Sequence, residues 1–289
     1  MRPGPLVVVG DTLLDVDVEG RAERLCPDAP VPVVAAGPGR RRPGGAGLAA
    51  LLAARAGAEV VLVTALGDDE PGRWLRRALS EVMEVVPLPL EGGTVTKTRI
   101  RAAGQTLLRV DTGDGLAYTA ALRTRGGDGR ADGGPASGGR VDGGRAAYGG
   151  RNLPGDLGAR RAAAALRGAG AVLVSDYGRG TARALGDALE RAAAEGVPVV
   201  WDPHPRGSAP VPGCALVTPN EAEARLLCAP EPYTSPEQAA RHLARALAAE
   251  AVAVTLGARG AVVARRGGPA VRAPAPPVTA GPDTCGAGD

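Results

Sequence analysis

Aromatic side chains are scarce in this chain. It has no phenylalanine, and aromatic residues together make up 2% of its 289 residues. Proteins that bind single-stranded nucleic acid stack the bases on aromatic side chains, so that class is not expected. The formal net charge is only +3, and the arginines are spread among acidic residues without forming a basic stripe. We therefore expect no nucleic-acid partner.

Closely spaced cysteines and long apolar runs are also missing. The cysteines lie far apart without a C-x-x-C pair, which argues against a zinc ribbon or a disulfide scaffold and favours a reducing compartment. They are Cys26, Cys214, Cys228 and Cys285. No apolar run approaches the ~20 residues of a membrane span. The N-terminal run at 6–9 is too short for a signal-peptide core. We expect a cytoplasmic protein with no membrane partner.

Several catalytic motifs are absent. No Gly-Lys-Ser or Gly-Lys-Thr occurs, and Lys97 is the only lysine, so the chain has no Walker A element. There is no G-x-S-x-G elbow. His204 and His242 make no metal or triad pattern. We therefore expect neither a P-loop nucleotide hydrolase nor a Ser-His-Asp hydrolase.

Apolar runs bounded by Gly and Pro alternate with helical stretches. This alternation predicts an α/β fold with a parallel sheet that helices cover on both faces. The predicted strands are 5–10, 59–64, 171–175, 197–202, 214–218 and 252–256. The predicted helices are 46–56, 70–82, 181–195, 220–228 and 236–249. The length allows one large α/β domain or two small ones.

Three segments do not fit this alternation. Residues 16–36 and 93–111 are extended and partly polar, and we predict that they form a small separate sheet. Such a sheet would be a lid over the carboxyl ends of the main strands, where α/β sheets bind ligands. Residues 123–158 are rich in Gly and Arg without periodicity, which predicts a disordered insert. Their Arg-Gly pairs leave an RNA-binding role open, although interspersed Asp residues dilute the charge.

Two carboxylates follow the first predicted strand. Asp11 and Asp15 would point at the ligand crevice, where they can accept hydrogen bonds from sugar hydroxyls. A turn or cap aspartate is the structural alternative.

A glycine pair precedes the predicted helix 46–56. Gly44 and Gly45 would let a ligand approach the backbone at a helix N-terminus. The same region matches the dinucleotide fingerprint G-x-G-x-x-A. However, Arg and Pro occupy 40–43, where that fingerprint requires a strand, so an NAD site is not favoured.

Asn220 and Glu223 lie at the start of a predicted helix. Asn220 suits an N-cap, and Glu223 is at the capping-box position, so a purely structural role is open. The functional interpretation is that both orient Mg²⁺-bound water near a triphosphate.

Thr255, Gly257 and Gly260 follow a predicted buried strand. The glycines could form a turn that holds nucleotide phosphates. A hairpin turn into 261–263 explains the same glycines.

The chain ends with the residues Asp-Thr-Cys-Gly-Ala-Gly-Asp at 283–289. Small residues at Gly286, Ala287 and Gly288 let backbone N–H groups surround an anion, and the carboxylate of Asp289 follows at once. This arrangement suits a site that stabilises a transferring phosphoryl group while a base deprotonates a hydroxyl. A glycine-rich tail is the structural alternative.

These elements, in this order, resemble the ribokinase (PfkB-type) family of carbohydrate kinases. The resemblance covers nearly the whole chain except the insert. It is carried by D-T-x-G-A-G-D at the end, N-x-x-E upstream and the glycine pair near the N-terminus. Within the family the chain is most similar to the D-glycero-β-D-manno-heptose 7-phosphate kinases. The phrases that carry this closer match are 9–15, 26–33, 42–46, 96–99, 108–111, 175–180 and 202–203.

The resemblance implies a single ribokinase-like domain over 1–289, a doubly wound parallel sheet with a small β-sheet lid. It implies an ATP- and Mg²⁺-dependent kinase that phosphorylates the anomeric hydroxyl of the heptose 7-phosphate. Asp289 would be the general base, and the amides of 286–288 the anion hole. Asn220 and Glu223 would serve Mg²⁺ and phosphates, and Thr255, Gly257 and Gly260 would line the ATP site.

The resemblance also implies the sugar contacts. These are Asp11, Asp15, Gly44, Gly45 and Asp176. A substrate that already carries a phosphate needs a cationic contact, for which Lys97, Arg99 and Arg179 are candidates. Surface charges are the structural alternative for these three.

The chain departs from the family pattern at several positions. Leu48 stands where Asn usually follows the glycine pair, and Arg179 and His204 stand where Lys is usual. The family continues beyond the final Asp, so the chain is expected to be C-terminally truncated. The alternatives are therefore a catalytically impaired sugar- or nucleotide-binding relative, or a kinase for another sugar. A nucleotidyltransferase is less favoured because no His-x-Gly-His motif occurs. Exposed lid edges lead us to expect a homodimer through the lid.

Overall fold

The computed structural model of the protein describes residues 2–118 and 155–276. The strands are β1 (Leu6–Gly10), β2 (Thr12–Cys26), β3 (Ala29–Ala36), β4 (Arg40–Gly45), β5 (Val60–Ala65), β6 (Glu84–Leu88), β7 (Leu90–Glu91), β8 (Thr96–Ala102), β9 (Gln105–Thr112), β10 (Leu116–Ala117), β11 (Ala171–Ser175), β12 (Val199–Asp202), β13 (Leu216–Val217), β14 (Ala251–Thr255), β15 (Ala261–Arg265) and β16 (Ala270–Ala273). The helices are α1 (Ala46–Arg55), α2 (Glu70–Ser80), α3 (Gly155–Gly168), α4 (Thr181–Ala184), α5 (Gly186–Ala194), α6 (Glu221–Cys228) and α7 (Pro236–Ala246), with a 3₁₀ turn at Gly257–Arg259.

The main sheet has nine strands in the order β16-β15-β14-β13-β12-β11-β1-β5-β6. Every neighbouring pair from β6 to β14 is parallel, and β15 and β16 add to the edge antiparallel. Strand β1, third from the β6 edge, pairs with both β5 and β11. The carboxyl ends of these parallel strands therefore meet at one edge of the sheet, as the sequence predicts.

Both faces of the main sheet are buried. Successive side chains of a strand point to opposite faces, and Val8 packs in one hydrophobic cluster while Val7 and Val9 pack in another. Helices α1 and α2 cover the Val8 face, and α3, α5 and α7 cover the other. The doubly wound fold class is confirmed.

The smaller sheet has the order β3-β2-β8-β9, with β4 also paired to β2. It begins at Thr12 and includes Arg40–Gly45, so it is larger than the predicted segments 16–36 and 93–111. Sequence reasoning found no place for a strand at 40–43. Pro43 is accommodated because β4 pairs with β2 alone, and the missing N–H breaks no second ladder.

Two predicted boundaries are wrong. Helix α3 begins at Gly155, so the predicted insert 123–158 is helical over 155–158, and its remainder lies outside the described residues. The Ala-rich stretch forms a helix because Ala162 and Leu166 bury one face in the core. The predicted helix 181–195 is split at Leu185 into α4 and α5. Among the described helices, none has the length and apolar character of a membrane span.

The carboxylate of Asp69 joins the two sheets. It caps α2 by accepting the N–H of Gly72 at 3.0 Å, and it accepts the N–H and the hydroxyl of Thr94 at 2.7 and 2.6 Å. Thr94 lies two residues before β8, so this cluster holds the smaller sheet against the main domain. Burial opposes ionisation of Asp69, but the bonds from Thr94 and Gly72 outweigh it and lower the pKa of Asp69.

Replacing Asp69 by alanine should lower the free energy of unfolding by about 2–3 kcal/mol, because it removes a cap and leaves Thr94 without an acceptor. Urea unfolding measures this change. Asp68→Ala is the matched control, since its side chain is 93% exposed and should change stability by less than about 0.5 kcal/mol.

The stability difference between wild type and Asp69→Ala should also depend on pH. A folded-state pKa below the ordinary 3.8 means that the ionised form stabilises the fold, fully above that value. The contribution is lost as the pH falls through the folded-state pKa. The difference should be constant above about pH 5 and narrow at lower pH. A difference that widens on acidification would contradict this account.

Candidate functional site

A cleft lies where the carboxyl ends of β1, β11 and β12 face the smaller sheet. Its volume is about 270 Å³. The main sheet contributes the residues that follow these three strands, and β8 and β9 contribute the opposite wall. The lining residues are Asp11, Thr12, Leu13, Ala65, Leu90, Val95, Lys97, Arg109, Asp111, Gly115, Tyr177, Arg179, His204 and Arg206. The cleft occupies the edge at which parallel sheets bind ligands.

Asp11 lines the cleft, but its carboxylate already has backbone partners. It accepts the N–H groups of Tyr177 at 3.0 Å, Arg179 at 2.8 Å and Thr181 at 3.1 Å. The residue is 5% exposed. Asp11, predicted to bind sugar hydroxyls, thus binds the loop that follows β11.

Asp176 is likewise bound to backbone amides. Its carboxylate accepts the N–H of Gly178 at 2.8 Å and the N–H of Ser208 at 2.7 Å. Burial raises the pKa of Asp176, while these two bonds act in the opposite direction. The side chain links the loop after β11 to the loop after β12.

Asp15 lies next to the cleft on β2, beside Lys97 of β8 in the sheet register. Its carboxylate is paired with Arg99 at 2.5 Å and is almost fully buried. A Cβ atom on Gly44, which pairs with Leu13 on β2, would overlap Asp15 Oδ2, so glycine at this position leaves room for the carboxylate.

Gly45 has a φ of +59° and is the N-cap residue of α1, and a Cβ there would overlap the carbonyl oxygen of Asp11. The predicted sugar residues Asp11, Asp15, Gly44 and Gly45 are therefore brought together.

Cationic side chains concentrate in the cleft. Lys97, Arg109, Arg179 and Arg206 all line it, and the Lys97 amino group lies 5.4 Å from the centre of the Tyr177 ring. Burial lowers the pKa of Lys97; nearby Asp15 opposes the shift and Arg109 adds to it. Of the predicted cations, Lys97 and Arg179 face the cleft, and Arg99 is engaged with Asp15.

Sequence reasoning missed Arg109 and Arg206. Arg109 lies within the phrase at 108–111, and Arg206 follows the predicted strand that ends at 202. A search for cations just beyond strand ends could have found Arg206.

His204, beside it, accepts the backbone N–H of Arg206 through Nδ1 at 3.1 Å. Burial, then Arg206 and Lys97, lower the pKa of His204, so its imidazole is neutral at pH 7.

Asn220 and Glu223 form a complete capping box at the start of α6. Asn220 Oδ1 accepts the Glu223 N–H at 3.0 Å, and Glu223 Oε2 accepts the Asn220 N–H at 2.8 Å. The helix-capping role that the sequence left open for these two residues is therefore present in the structure. Burial raises the pKa of Glu223.

Thr255, Gly257 and Gly260 lie beside this capping box. Thr255 ends β14 and forms a bridge with Asn220. The hairpin alternative accounts for the glycines, since both have positive φ in the connection to β15. Within residues 2–118 and 155–276, a Cβ on Gly257 would meet no atom within 4 Å. The predicted nucleotide residues are therefore neighbours.

Among residues 2–118 and 155–276, no group of three or more His, Cys, Asp and Glu side chains could hold a metal ion. Mg²⁺ bound to nucleotide phosphates needs only one or two protein oxygen ligands, often through water. The amide and carboxylate oxygens of Asn220 and Glu223 fit that requirement in chemical type. Asp289, Gly286, Ala287 and Gly288 lie outside the described residues.

The chain is similar to curated proteins named bifunctional protein HldE. The protein from Streptomyces coelicolor is 45% identical over 99% of this chain and 53% of its own length. The one from Nitrosococcus oceani is 31% identical over 93% of this chain and 50% of its own length. The chain thus spans about half the length of these relatives.

Solved structures share the fold. Arabidopsis thaliana ribokinase, complexed with ribose and ATP, has a TM-score of 0.60 at 22% identity, with 99% of this chain and 82% of that chain covered. Escherichia coli phosphofructokinase-2, in complex with fructose-6-phosphate, has a TM-score of 0.65 at 16% identity, covering 98% and 82%.

A family model also matches. Residues 161–289 fit the model described as pfkB family carbohydrate kinase. The match includes the capping box at 220–223 and the final residues 283–289. Together with the HldE similarity and the shared ribokinase-like fold, it shows a pfkB carbohydrate kinase domain whose matched part is residues 161–289.

Proposed function

We propose that the chain is an ATP-dependent sugar kinase that phosphorylates the anomeric hydroxyl of D-glycero-D-manno-heptose 7-phosphate, giving the 1,7-bisphosphate. The observation that carries this proposal is the set of four cationic side chains, Lys97, Arg109, Arg179 and Arg206, in one cleft. The similarity to proteins named HldE supports the heptose.

The charge balance of the cleft favours an anionic acceptor. Two carboxylates also line it, but Asp11 accepts three backbone N–H groups, and Asp111 pairs with Arg109 at 2.8 Å. An excess of positive charge remains around Lys97, whose pKa is lowered. A phosphate group on the sugar would offset this excess through charge-assisted hydrogen bonds.

Asp15 would hold the sugar itself. Its carboxylate is oriented by Arg99, and Gly44 lies against Oδ2 without a side chain. A carboxylate oriented in this way is a suitable acceptor for sugar hydroxyls. The smaller sheet would act as the lid that excludes water from the transfer reaction.

ATP would bind along Asn220, Thr255, Gly257 and Gly260. The positive φ of both glycines turns the backbone sharply there, and a Cβ on Gly257 would meet no atom of the described residues within 4 Å. Asn220 and Glu223 would hold Mg²⁺ through water. When bound, Mg²⁺ neutralises charge on the nucleotide phosphates during transfer.

Asp289 would take the proton from the anomeric hydroxyl. The oxygen would then attack the γ-phosphorus of ATP, and the bond from that phosphorus to the leaving ADP oxygen would break. Backbone N–H groups of Gly286, Ala287 and Gly288 would stabilise charge on the transferring group. These roles rest on the resemblance of 283–289 to the family motif.

We also propose a homodimer formed through the smaller sheet. Five large apolar side chains of this sheet are at least 40% exposed, and exposed apolar surface is available to a partner. They are Leu25, Val31, Leu107, Leu108 and Val110. A second copy of this sheet would cover them.

The kinase proposal is tested by comparing acceptors with the purified chain. Heptose 7-phosphate should support ADP release with a kcat/KM at least about 100-fold above that for unphosphorylated heptose, because the cleft holds the phosphate. Turnover confined to ribose or fructose 6-phosphate would assign another substrate. Sugar-phosphate binding by calorimetry without turnover would assign a binding role.

Arg206→Gln should raise KM for heptose 7-phosphate about 10- to 100-fold, since a hydrogen bond to a charged group is lost. KM for ATP should change by less than about 3-fold. With unphosphorylated heptose as the acceptor, the variant and wild type should have the same KM. Arg77→Gln, on the exposed face of α2, is the matched control. An equal loss for both sugars would show that Arg206 does not bind the phosphate.

Asp289→Asn should lower kcat about 10²- to 10⁴-fold, because the amide cannot accept the hydroxyl proton. Heptose 7-phosphate binding by calorimetry should stay within about 3-fold of wild type. A variant that retains kcat would refute the assignment of Asp289 as the base.

Val110→Asp should convert the dimer to a monomer, as measured by light scattering, with an unchanged circular dichroism spectrum. The added charge would be buried in the apolar contact. Val271→Asp is the control, since Val271 is 62% exposed and lies on β16, outside the smaller sheet. A wild-type chain that is monomeric at about 100 µM, well above a typical dimer dissociation constant, would refute the dimer.

A further inference from the structure

We infer that Asp11 and Asp176 are positioning residues: their buried carboxylates hold the two loops whose side chains form the cationic wall of the cleft. This inference rests on the proposed function for its role in substrate binding. It differs from the expectation that both residues contact the sugar.

The first loop follows β11. Its alternate amides, from Tyr177, Arg179 and Thr181, all donate to Asp11. Alternation is possible because the two intervening glycines, Gly178 and Gly180, have φ of +73° and +96°. The loop therefore turns successive N–H groups toward one carboxylate.

The second loop follows β12 and is joined to the first by Asp176. The carboxylate accepts one amide from each loop, Gly178 at 2.8 Å and Ser208 at 2.7 Å. A Cβ on Gly207 would lie 2.6 Å from Asp176 Oδ2, and a Cβ on Gly178 would lie 2.8 Å from the Arg206 backbone. Glycine at both positions lets the loops pack against the carboxylate and against each other.

The same two loops carry the main-domain wall of the cleft. Tyr177 and Arg179 come from the first loop, and His204 and Arg206 from the second. The five N–H groups that donate to Asp11 and Asp176 are directed into the protein. Both acids are nearly inaccessible, at 5% and 3% exposure. Their contribution to substrate binding would thus act through Arg179 and Arg206.

Asparagine cannot replace Asp11 in this role. Oδ2 accepts two N–H groups and Oδ1 accepts one, whereas an asparagine has a single acceptor oxygen. In either amide orientation, at least one backbone N–H would face an NH₂ donor. The loop after β11 should then open more often.

Hydrogen exchange of Asp11→Asn provides the first test. The amides of Tyr177, Arg179 and Thr181 should exchange about 10- to 100-fold faster than in wild type. Amides of β5, on the other side of β1, should be unchanged. Asp68→Asn, an exposed matched control, should exchange as wild type does. Unchanged protection at all three loop amides would overturn the inference, whatever the substrate of the kinase.

A double-mutant cycle provides the second test. If Asp11 acts by positioning Arg179, the loss of heptose 7-phosphate affinity in Asp11→Asn should largely disappear in an Arg179→Gln background. Full additivity, with equal losses for phosphorylated and unphosphorylated heptose, would instead mean that Asp11 contacts the sugar. If wild-type protein does not prefer phosphorylated over unphosphorylated heptose, the proposed function is wrong. The hydrogen-exchange result would still test the positioning role of Asp11.

If Asp11→Asn does not fold, Asp176→Asn replaces it in both tests. It retains one acceptor for Gly178 or Ser208 and should accelerate exchange at the other amide alone. Arg206→Gln is its partner in the cycle. Protection at both amides equal to wild type would overturn the inference for Asp176.

Discussion

The cleft depends on carboxylates buried at the carboxyl ends of parallel strands. Because β1, β11 and β12 run in the same direction, the loops that follow them meet at one edge, and each brings backbone N–H groups that need acceptors. Asp11 and Asp176 accept five of these groups. Buried charge of this kind persists only where hydrogen bonds compensate for lost hydration. The loops are thereby held in a shape that directs their side chains outward.

The opposite wall comes from a separate sheet, and its attachment is also electrostatic. Asp69 ties the residues before β8 to α2, whereas the pair of Asp15 on β2 and Arg99 on β8 lies within the smaller sheet. Lys97 and Arg109 then face the cations of the main domain. Repulsion among these cations destabilises the ligand-free cleft, and an anionic ligand would reduce that repulsion. The two-part architecture thus brings cationic side chains from both sheets to one cleft.

Much of the main domain could be predicted from local pattern. The buried strands 6–10 and 171–175 were identifiable because parallel strands covered on both faces are continuously apolar. The capping box of Asn220 and Glu223 follows from two residues at fixed spacing. Strand β4 was missed because Arg40 and Pro43 carry weak strand signals. Helix α3 was missed although its alanines favour a helix, because it directly follows the Gly- and Arg-rich segment. Their structures come from pairing with β2 and from packing on the sheet.

Local sequence patterns are enough to establish the fold class, the resemblance to carbohydrate kinases and the positions at which acids and glycines follow strand ends. These depend on short-range properties: apolar runs, turn residues and motif spacing. The three-dimensional arrangement is needed to show that Asp11 and Asp176 bind backbone N–H groups, that Arg99 pairs with Asp15, and that Arg109 and Arg206 line one cleft. A carboxylate has the same chemistry whether its partner is a sugar or an amide. The partner of Asp11 is a loop more than 160 residues away in the chain. Local sequence patterns do not show which distant segments come into contact.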